Sequence, residues 1–190
     1  MTRETETVYF DGRGNEYTDE TLRLAKERSE QLGIKNIVVA SYTGYTGVRA
    51  LDFFKDHNLV VVAGMMGFRE PNEDRMLPEN KEKIKAANAK IVKHLHAFGG
   101  LGRAVKNRFG PIQVDEIIAN VLRLFSQGVK VCLEIACMAS DSGAIRTGEE
   151  CIVIAGTGTG ADTALVLKPA NTHRFFNSEV KEVICKPRDP

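Results

Sequence analysis

The sequence has 190 residues, of which 43% are apolar and 27% are charged, a composition typical of an ordinary soluble globular protein. Its 26 Lys and Arg residues nearly balance its 25 Asp and Glu residues, and it has no basic run, which excludes nucleic acid as the expected partner. The N-terminal stretch lacks the features of a signal peptide, and the most apolar run, Leu59 to Phe68, is too short to cross a bilayer. These features predict one cytoplasmic domain over residues 1–190, with no membrane partner.

The first half of the chain predicts alternating helices and strands. A helical pattern begins at Thr18 and stops at Gly33, and the apolar run from Ile34 to Ala40 is typical of a strand buried on both faces. A crossover helix over Val48 to Asp56 and a second buried strand over Leu59 to Ala63 follow. This order, with its short connections, predicts a right-handed parallel unit in an open α/β sheet.

The second half is predicted to contain helices, a long loop and closing strands. A polar helix is predicted over Lys81 to Val92, and the stretch from His94 to Val114, with four glycines and a proline, is predicted to be a functional loop or lid. An amphipathic helix begins at Asp115, and KVCLEIACMASDSG predicts a second, mostly buried helix. The last third predicts a strand, a glycine loop, another strand and a short strand over Glu182 to Lys186.

The loop SYTGYTG, residues 41–47, lies between a predicted strand and a predicted helix, where backbone N–H groups and the positive end of the helix dipole converge. Glycines let the backbone approach a phosphate, and hydroxyl groups add donors without charge. The Gly-Lys-Ser/Thr ending of a Walker loop is missing. The predicted phosphate-binding residues are Ser41, Thr43, Gly44, Tyr45, Thr46 and Gly47. In the alternative interpretation, Thr43 or Thr46 caps the helix and nothing binds.

A second glycine loop occurs in IAGTGTGADTA, residues 154–164. Its spacing fits a dinucleotide fingerprint, but the strand-like residues that follow and the short remaining chain argue against that interpretation. A glycine loop between two strands, Gly156 to Gly160, can instead wrap a ligand or turn a hairpin.

Titratable side chains give a weaker indication of chemistry. Glu134 and Asp141 are seven residues apart on one helix face, where we favour a solvent-facing polar stripe over an acid/base pair. His94 and His96 have no third ligand nearby, and the four cysteines show no paired C-x-x-C spacing. The sequence therefore predicts no metal site, and it favours a single histidine in a pocket.

Two segments resemble the C-terminal α/β domain of pyruvate kinase, here occurring without a catalytic barrel. KNIVVASYTGYTGVRALDFFKDHNLVVVAG is similar to that domain's strand, phosphate loop, helix and second strand, and GAIRTGEECIVIAGTGTGADTALVLKPA is similar to its closing hairpin. The resemblance implies an α/β fold of three layers, with an open, mostly parallel sheet and an antiparallel C-terminal hairpin.

The resemblance also implies a ligand site. In pyruvate kinases with a sugar-phosphate effector, the corresponding loop binds the effector's phosphate and the closing hairpin loop folds over it. The family usually has a lysine and an arginine where this loop has Tyr42 and Tyr45, which favours a monophosphate attached to a flat apolar group and makes flavin mononucleotide (FMN) a candidate cofactor. The predicted ligand pocket is lined by Gly64, His96, Glu134, Met138, Gly156, Thr157, Gly158, Thr159, Asp162 and Thr163.

The leading hypothesis is therefore a binding or sensor domain for a phosphorylated small molecule. One alternative is a small flavin-dependent enzyme, with the ring near His96, Glu134 and Asp141 and the glycine-rich segment as a lid. Another is an interaction subunit without a ligand, since the related domain packs into pyruvate kinase tetramers. A homo-oligomer is among the expected partners.

We expect no phosphoryl transfer from phosphoenolpyruvate to ADP by this chain, because pyruvate kinase binds its substrates and metals in a barrel that needs about 250 residues by itself. A coupled assay of pyruvate formation, with a full-length pyruvate kinase as positive control, tests this expectation. ADP-dependent turnover by the purified chain would contradict it.

Overall fold

Over residue 2 and residues 4–189, which the computed structural model describes, the chain forms one seven-stranded sheet and six α-helices. The strands are β1 Val8–Phe10, β2 Asn36–Ala40, β3 Asn58–Ala63, β4 Lys90–Lys93, β5 Cys151–Ala155, β6 Thr163–Lys168 and β7 Glu179–Pro187. The helices are α1 Thr18–Leu32, α2 Tyr45–Phe53, α3 Pro78–Ala86, α4 Leu101–Phe109, α5 Val114–Arg123 and α6 Gln127–Asp141. Short 3₁₀ turns span Asn15–Tyr17 and Thr172–Asn177.

The strands follow the order β1-β7-β6-β5-β2-β3-β4 across the sheet. Strands β5, β2, β3 and β4 pair in parallel, and β1 pairs in parallel with β7. Strand β6 runs antiparallel to both β5 and β7. The predicted fold class is confirmed, with a mostly parallel sheet and antiparallel C-terminal strands.

Two apolar cores lie on opposite faces of the sheet. In β2, Ile37 and Val39 belong to the core that includes Leu22 of α1, whereas Val38 belongs to the core that includes Met138 of α6. All five are almost fully buried. Because both faces are covered, the central strands are continuous apolar runs, and each fully buried aliphatic side chain contributes about 1.5–3 kcal/mol.

The predicted helix ends agree well with the structure where a local stop signal exists. Helix α1 begins at Thr18, with Asp19 and Glu20 in its first turn, and ends before Gly33, which adopts a left-handed conformation with φ 68°. Helix α6 is confirmed as mostly buried, and the Ser126 hydroxyl caps it by accepting the Val129 N–H at 3.0 Å.

The region between β3 and α5 differs from the sequence prediction. The helix predicted over Lys81 to Val92 is wrong at its end, because α3 ends at Ala86 and Asn88 turns the chain with φ 58°. The following residues, Lys90–Lys93, pair with β3 as an edge strand. The loop predicted from His94 to Val114 contains α4, and β1 is a strand that the sequence analysis did not predict.

No helix in the described residues is long and apolar enough to span a membrane.

Replacing Leu165 with Ala should lower the free energy of unfolding by about 2–5 kcal/mol, because the side chain is 0% exposed and its loss leaves a cavity in the core beside α6. The matched control is Leu77→Ala, at a position that is 45% exposed, which should change stability little. Urea unfolding of both variants provides the measurement, and equal losses would contradict this description of the core.

Candidate functional site

The centre of the sheet is a point where the chain leaves neighbouring strands in opposite directions. Strands β2 and β5 are adjacent, with Ile37 opposite Ile152 and Val39 opposite Ile154. After β2 the chain crosses to β3 on one side, and after β5 it turns to β6 on the other. In open α/β sheets, such switch points form the crevice in which ligands bind. The loops that begin at Ser41 and Gly156 therefore start side by side at this edge.

The loop after β2 ends in a helix N-terminus at which Ser41 satisfies one of the free backbone N–H groups. Gly44 is the N-cap of α2 and has a left-handed conformation, with φ 92°. The Ser41 hydroxyl accepts the Gly47 N–H at 2.9 Å, which folds the loop back on itself. Neither Thr43 nor Thr46 caps α2 in the described part of the chain, and the loop hydroxyl that satisfies a helix donor is that of Ser41.

Helix α3 braces this loop from outside. The Asn80 side-chain amide and the Leu77 N–H both donate to the Thr43 carbonyl, each at 3.1 Å. A Cβ at Gly44 would lie 2.5 Å from the Asn80 Cβ, and its positive φ also disfavours any other residue. Position 44 therefore requires glycine, and the loop backbone is held rigidly at the start of α2.

The loop obtains no positive charge from its own side chains, since residues 41–47 contain neither lysine nor arginine. Arg49 on α2 pairs with Asp19 of α1, and the Arg75 guanidinium lies 5.9 Å from the centre of the Tyr42 ring. The attraction for an anion at this site therefore comes from backbone N–H groups and the helix dipole.

The two tyrosines of the loop have different surroundings. The Tyr42 ring packs on Gly64, where a Cβ would come within 2.0 Å of the ring, and it meets Phe68 edge to face at 6.2 Å. Its hydroxyl is buried without a hydrogen-bond partner among the described residues. Tyr45 is 39% exposed, so it is the loop tyrosine whose ring is accessible to a ligand.

The loop after β5 is held from beneath by Asp162, which is fully buried. Its carboxylate accepts the N–H groups of Gly14 at 2.8 Å and Thr157 at 3.0 Å, together with the Thr163 hydroxyl at 2.8 Å. Asp162 and Thr163 were predicted to line the pocket, but the structure places them under the loop as its supports. Gly158 and Thr159 are exposed at the tip of the loop.

The predicted polar stripe on α6 is wrong. Glu134 is 3% exposed, and its carboxylate accepts hydrogen bonds from the Lys130 ammonium and from the Phe98 N–H at 3.2 Å. Asp141 is occupied elsewhere, because its carboxylate accepts three hydrogen bonds from Asn171 and Thr172. The two carboxylates therefore do not act as a pair.

Two other residues predicted to line the pocket also lie in packed surroundings. Met138 is 1% exposed and belongs to the core beside α6, so it lines no open pocket. His96 stacks on Phe68 with ring centroids 4.8 Å apart, and its Nε2 is buried without a partner among the described residues. Its Nδ1 lies 3.8 Å from the Glu134 Oε1.

The buried charges on α6 shift one another's protonation. Burial acts to raise the pKa of the Glu134 carboxyl, but the neighbouring His96 imidazole and Lys130 ammonium outweigh burial and lower this pKa to about 2. Burial lowers the pKa of the Lys130 ammonium, against the opposing charge of Glu134. The Glu134 carboxyl therefore remains ionised at neutral pH and serves as a structural element of the α6 face.

Open clefts occur away from the loop after β2. A cleft of about 340 Å³ lies among α4, α5 and α6, where its lining includes Arg103, Arg123 and Lys130. Another, of about 600 Å³, lies between the N-terminal segment and α1. Neither cleft is lined by residues 41–47. Within the described residues, no group of three or more His, Cys, Asp and Glu side chains could hold a metal ion.

The spacing of Lys130 four residues before Glu134 in the sequence is a visible signal for their pairing. Two other residues around the site were not singled out by the sequence analysis. Asn80 and Phe68 carried no such signal, because their contacts with the loop after β2 join segments that are distant in sequence.

The model of the pyruvate kinase alpha/beta domain family matches residues 19–167, and the chain belongs to this family. Three solved pyruvate kinases from Cryptosporidium parvum are similar to it. The one in complex with ADP is 14% identical, covers 90% of this chain and 24% of its own, and has a TM-score of 0.40. The other two are 15% and 16% identical, cover 72% and 73% of this chain, and have TM-scores of 0.36 and 0.35. The chain thus spans between 20% and 24% of the length of these kinases.

Replacing Glu134 with Gln should lower the free energy of unfolding at pH 7 by about 3–5 kcal/mol, because the buried Lys130 ammonium loses its partner. The pKa of the Glu134 carboxyl lies near 2 in the folded chain, against an ordinary value of 4.5. The ionised Glu134 carboxylate therefore stabilises the folded chain fully above about pH 4.5. As the pH falls towards 2, this contribution of about 3 kcal/mol to the free energy of unfolding is lost.

Urea unfolding of the wild type and the variant from pH 7 to pH 2.5 measures this difference, which should shrink as the pH falls. The matched control is Glu179→Gln, since Glu179 forms an exposed ion pair with Lys181 and should change stability little at any pH. If the difference in unfolding free energy between the wild type and Glu134→Gln stayed constant over this range, the lowered pKa of the Glu134 carboxyl would be contradicted.

Proposed function

We propose that this chain is a binding module for a phosphorylated small molecule, whose phosphate lies against residues 41–47 at the N-terminus of α2. The observation that carries the proposal is a pair of free backbone donors at the start of this helix. The N–H groups of Tyr45 and Thr46 have no acceptor within the described residues, whereas the Gly47 N–H is already bonded to Ser41. Membership of the pyruvate kinase alpha/beta domain family supports the same choice of loop.

The charge of the loop favours a ligand with one phosphate. Backbone donors and the helix dipole supply the equivalent of about half a unit of positive charge, which suits a single phosphate group. A second phosphate would require a free cation, but residues 41–47 have none, Arg49 is paired with Asp19 and Arg75 is paired with Glu73. The ligand is therefore a monophosphate rather than a doubly phosphorylated sugar.

The remainder of the ligand lies between the two loops at the sheet edge. Tyr45 offers an exposed aromatic face beside the phosphate, and the exposed tip at Gly158 and Thr159 forms the facing wall. FMN fits this arrangement because it combines one phosphate with a flat ring, and when bound it would supply redox chemistry. The chain's own residues then bind the phosphate through the N–H groups of Tyr45 and Thr46 and stack the ring on Tyr45.

The side chains of α6 do not support a flavin-dependent enzyme as a second function. Asp141 is fully engaged by the segment after β6, and Glu134 is engaged by Lys130 and Phe98. His96 is the remaining candidate for contact with a ring, but its own ring is stacked on Phe68.

The absorbance spectrum and phosphorus content of the protein as purified test the identity of the ligand. A flavin spectrum with about one phosphorus per chain would support FMN. If the protein is colourless and contains no phosphorus, thermal-shift titrations with FMN and with inorganic phosphate are the next test. A ligand that binds only the folded chain raises its apparent stability. Failure of both titrations would contradict the proposal.

Replacing Tyr45 with Asp should abolish the thermal shift produced by phosphate or FMN. The new carboxylate suits the first turn of a helix, so α2 should fold normally while the bound phosphate is repelled. The matched control is Tyr9→Asp, which makes the same exchange at an exposed position on β1 and should leave binding unchanged. Equal binding by Tyr45→Asp and the wild type would show that the phosphate lies elsewhere.

A further inference from the structure

The cleft among α4, α5 and α6 has a lining rich in positive charge. Of the ten residues that line it, four are cationic and two are acidic, which gives the lining a formal net charge of +2. The whole chain has a net charge of only +1. The cations are Arg103 and Lys106 of α4, Arg123 of α5 and Lys130 of α6. Because they come from three helices, the tertiary structure concentrates positive charge here without a basic run in the sequence.

Two of these cations have no acidic partner. Among the described residues, neither Arg103 nor Arg123 forms an ion pair, whereas the other two cations of the lining do. The Arg123 guanidinium donates to the amide oxygens of Asn120 at 2.9 Å and Gln127 at 2.7 Å. The Arg103 guanidinium lies 5.0 Å from the centre of the Phe68 ring. These contacts are with uncharged groups, so both positive charges remain available to an anion.

Lys130 adds a buried cation to the same lining. It is 6% exposed, and its ammonium donates to the Glu134 carboxylate. An ammonium has three N–H donors, and this one has no second acceptor among the described residues. Burial lowers the pKa of the Lys130 ammonium against the opposing charge of Glu134, and the charges of Arg123 and Arg103 lower this pKa further. An anion in the cleft would offset the repulsion among these three cations.

The two acidic residues of the lining are engaged elsewhere. The Glu116 carboxylate pairs with Lys106. The Asp115 carboxylate lies against the backbone of Gly102, where a Cβ would collide with it. Neither acid forms an ion pair with Lys130 or with the two arginines of the cleft in the part of the chain that the structure describes. The acids therefore leave these three cations without direct partners of their own.

The chemistry of the lining selects a small dianion. A guanidinium group presents parallel N–H donors that match the oxygens of a carboxylate or a phosphate. The volume of about 340 Å³ lies within the range of small-molecule sites, and the net charge of +2 suits two negative charges. We propose that this cleft binds a small molecule with two oxyanion groups, carboxylates or phosphates, which Arg103, Arg123 and Lys130 hold. The site is separate from residues 41–47, none of which lines the cleft.

Isothermal titration calorimetry of the full chain at constant ionic strength tests the proposal with two probes, succinate and inorganic pyrophosphate. We expect saturable binding of at least one probe, and the probe that binds more tightly distinguishes a dicarboxylate ligand from a diphosphate. Arg103→Gln and Arg123→Gln should each weaken this binding roughly tenfold or more, because each removes a charge-assisted hydrogen bond. Both positions are exposed, so the variants should fold normally.

The matched control is Arg146→Gln, which makes the same exchange at an exposed arginine outside the cleft and should leave the affinity unchanged. An equal loss of affinity in Arg146→Gln would overturn the proposal, because the effect would then reflect net charge alone. Unchanged affinity in Arg103→Gln and Arg123→Gln, or the absence of saturable binding of either probe, would also overturn it.

A titration of Tyr45→Asp separates the cleft from the phosphate site proposed at residues 41–47. Binding of the probe in the cleft should persist in this variant, since Tyr45 does not line the cleft. If Tyr45→Asp abolished binding while both cleft substitutions left it unchanged, the anion would lie at residues 41–47. That result would overturn the cleft site and support the proposed function.

Discussion

Parallel pairing of β2 with β5 is the contact on which the candidate site depends. It joins segments more than one hundred residues apart, from Ile37–Val39 to Ile152–Ile154, through backbone hydrogen bonds in the middle of the sheet. Because the chain leaves these two strands in opposite directions, their carboxyl ends open into one crevice. The start of α2 and the glycine loop after β5 lie beside that crevice only because this pairing exists.

Buried polar groups hold the loops around this edge in place. Asp162 uses its carboxylate to connect the turn after β1 with the loop after β5, while Glu134 connects α6 with the segment after β4. Each carboxylate is nearly inaccessible to water, so each must be satisfied by the protein's own donors. The polar residues in the interior therefore serve as supports, whereas Tyr45, Gly158 and Thr159 remain exposed at this edge.

The exposed apolar side chains of α4 and α5 differ in chemical character from the loop formed by residues 41–47. The loop acts through backbone donors and a helix dipole, which attract an anion. The helices act through side chains such as Phe109 and Val121, which are stable only when water is excluded. The proposed ligand site at the sheet edge therefore uses none of the residues that are exposed on these outer helices.

The sequence alone determined the elements whose signals are local. Continuous apolar runs identified β2, β3 and β5, and capping residues and glycine stops identified α1, while the composition of residues 41–47 marked the loop, because all these preferences act over a few residues. Only the tertiary structure decided that Lys90–Lys93 is an edge strand, that Asp162 supports its loop, and that Glu134 is buried with Lys130. Glu134 was expected on a solvent-facing stripe, because helical spacing specifies which residues share a face but not what covers that face. Those outcomes depend on neighbours brought together by long-range pairing, which no short stretch of sequence encodes.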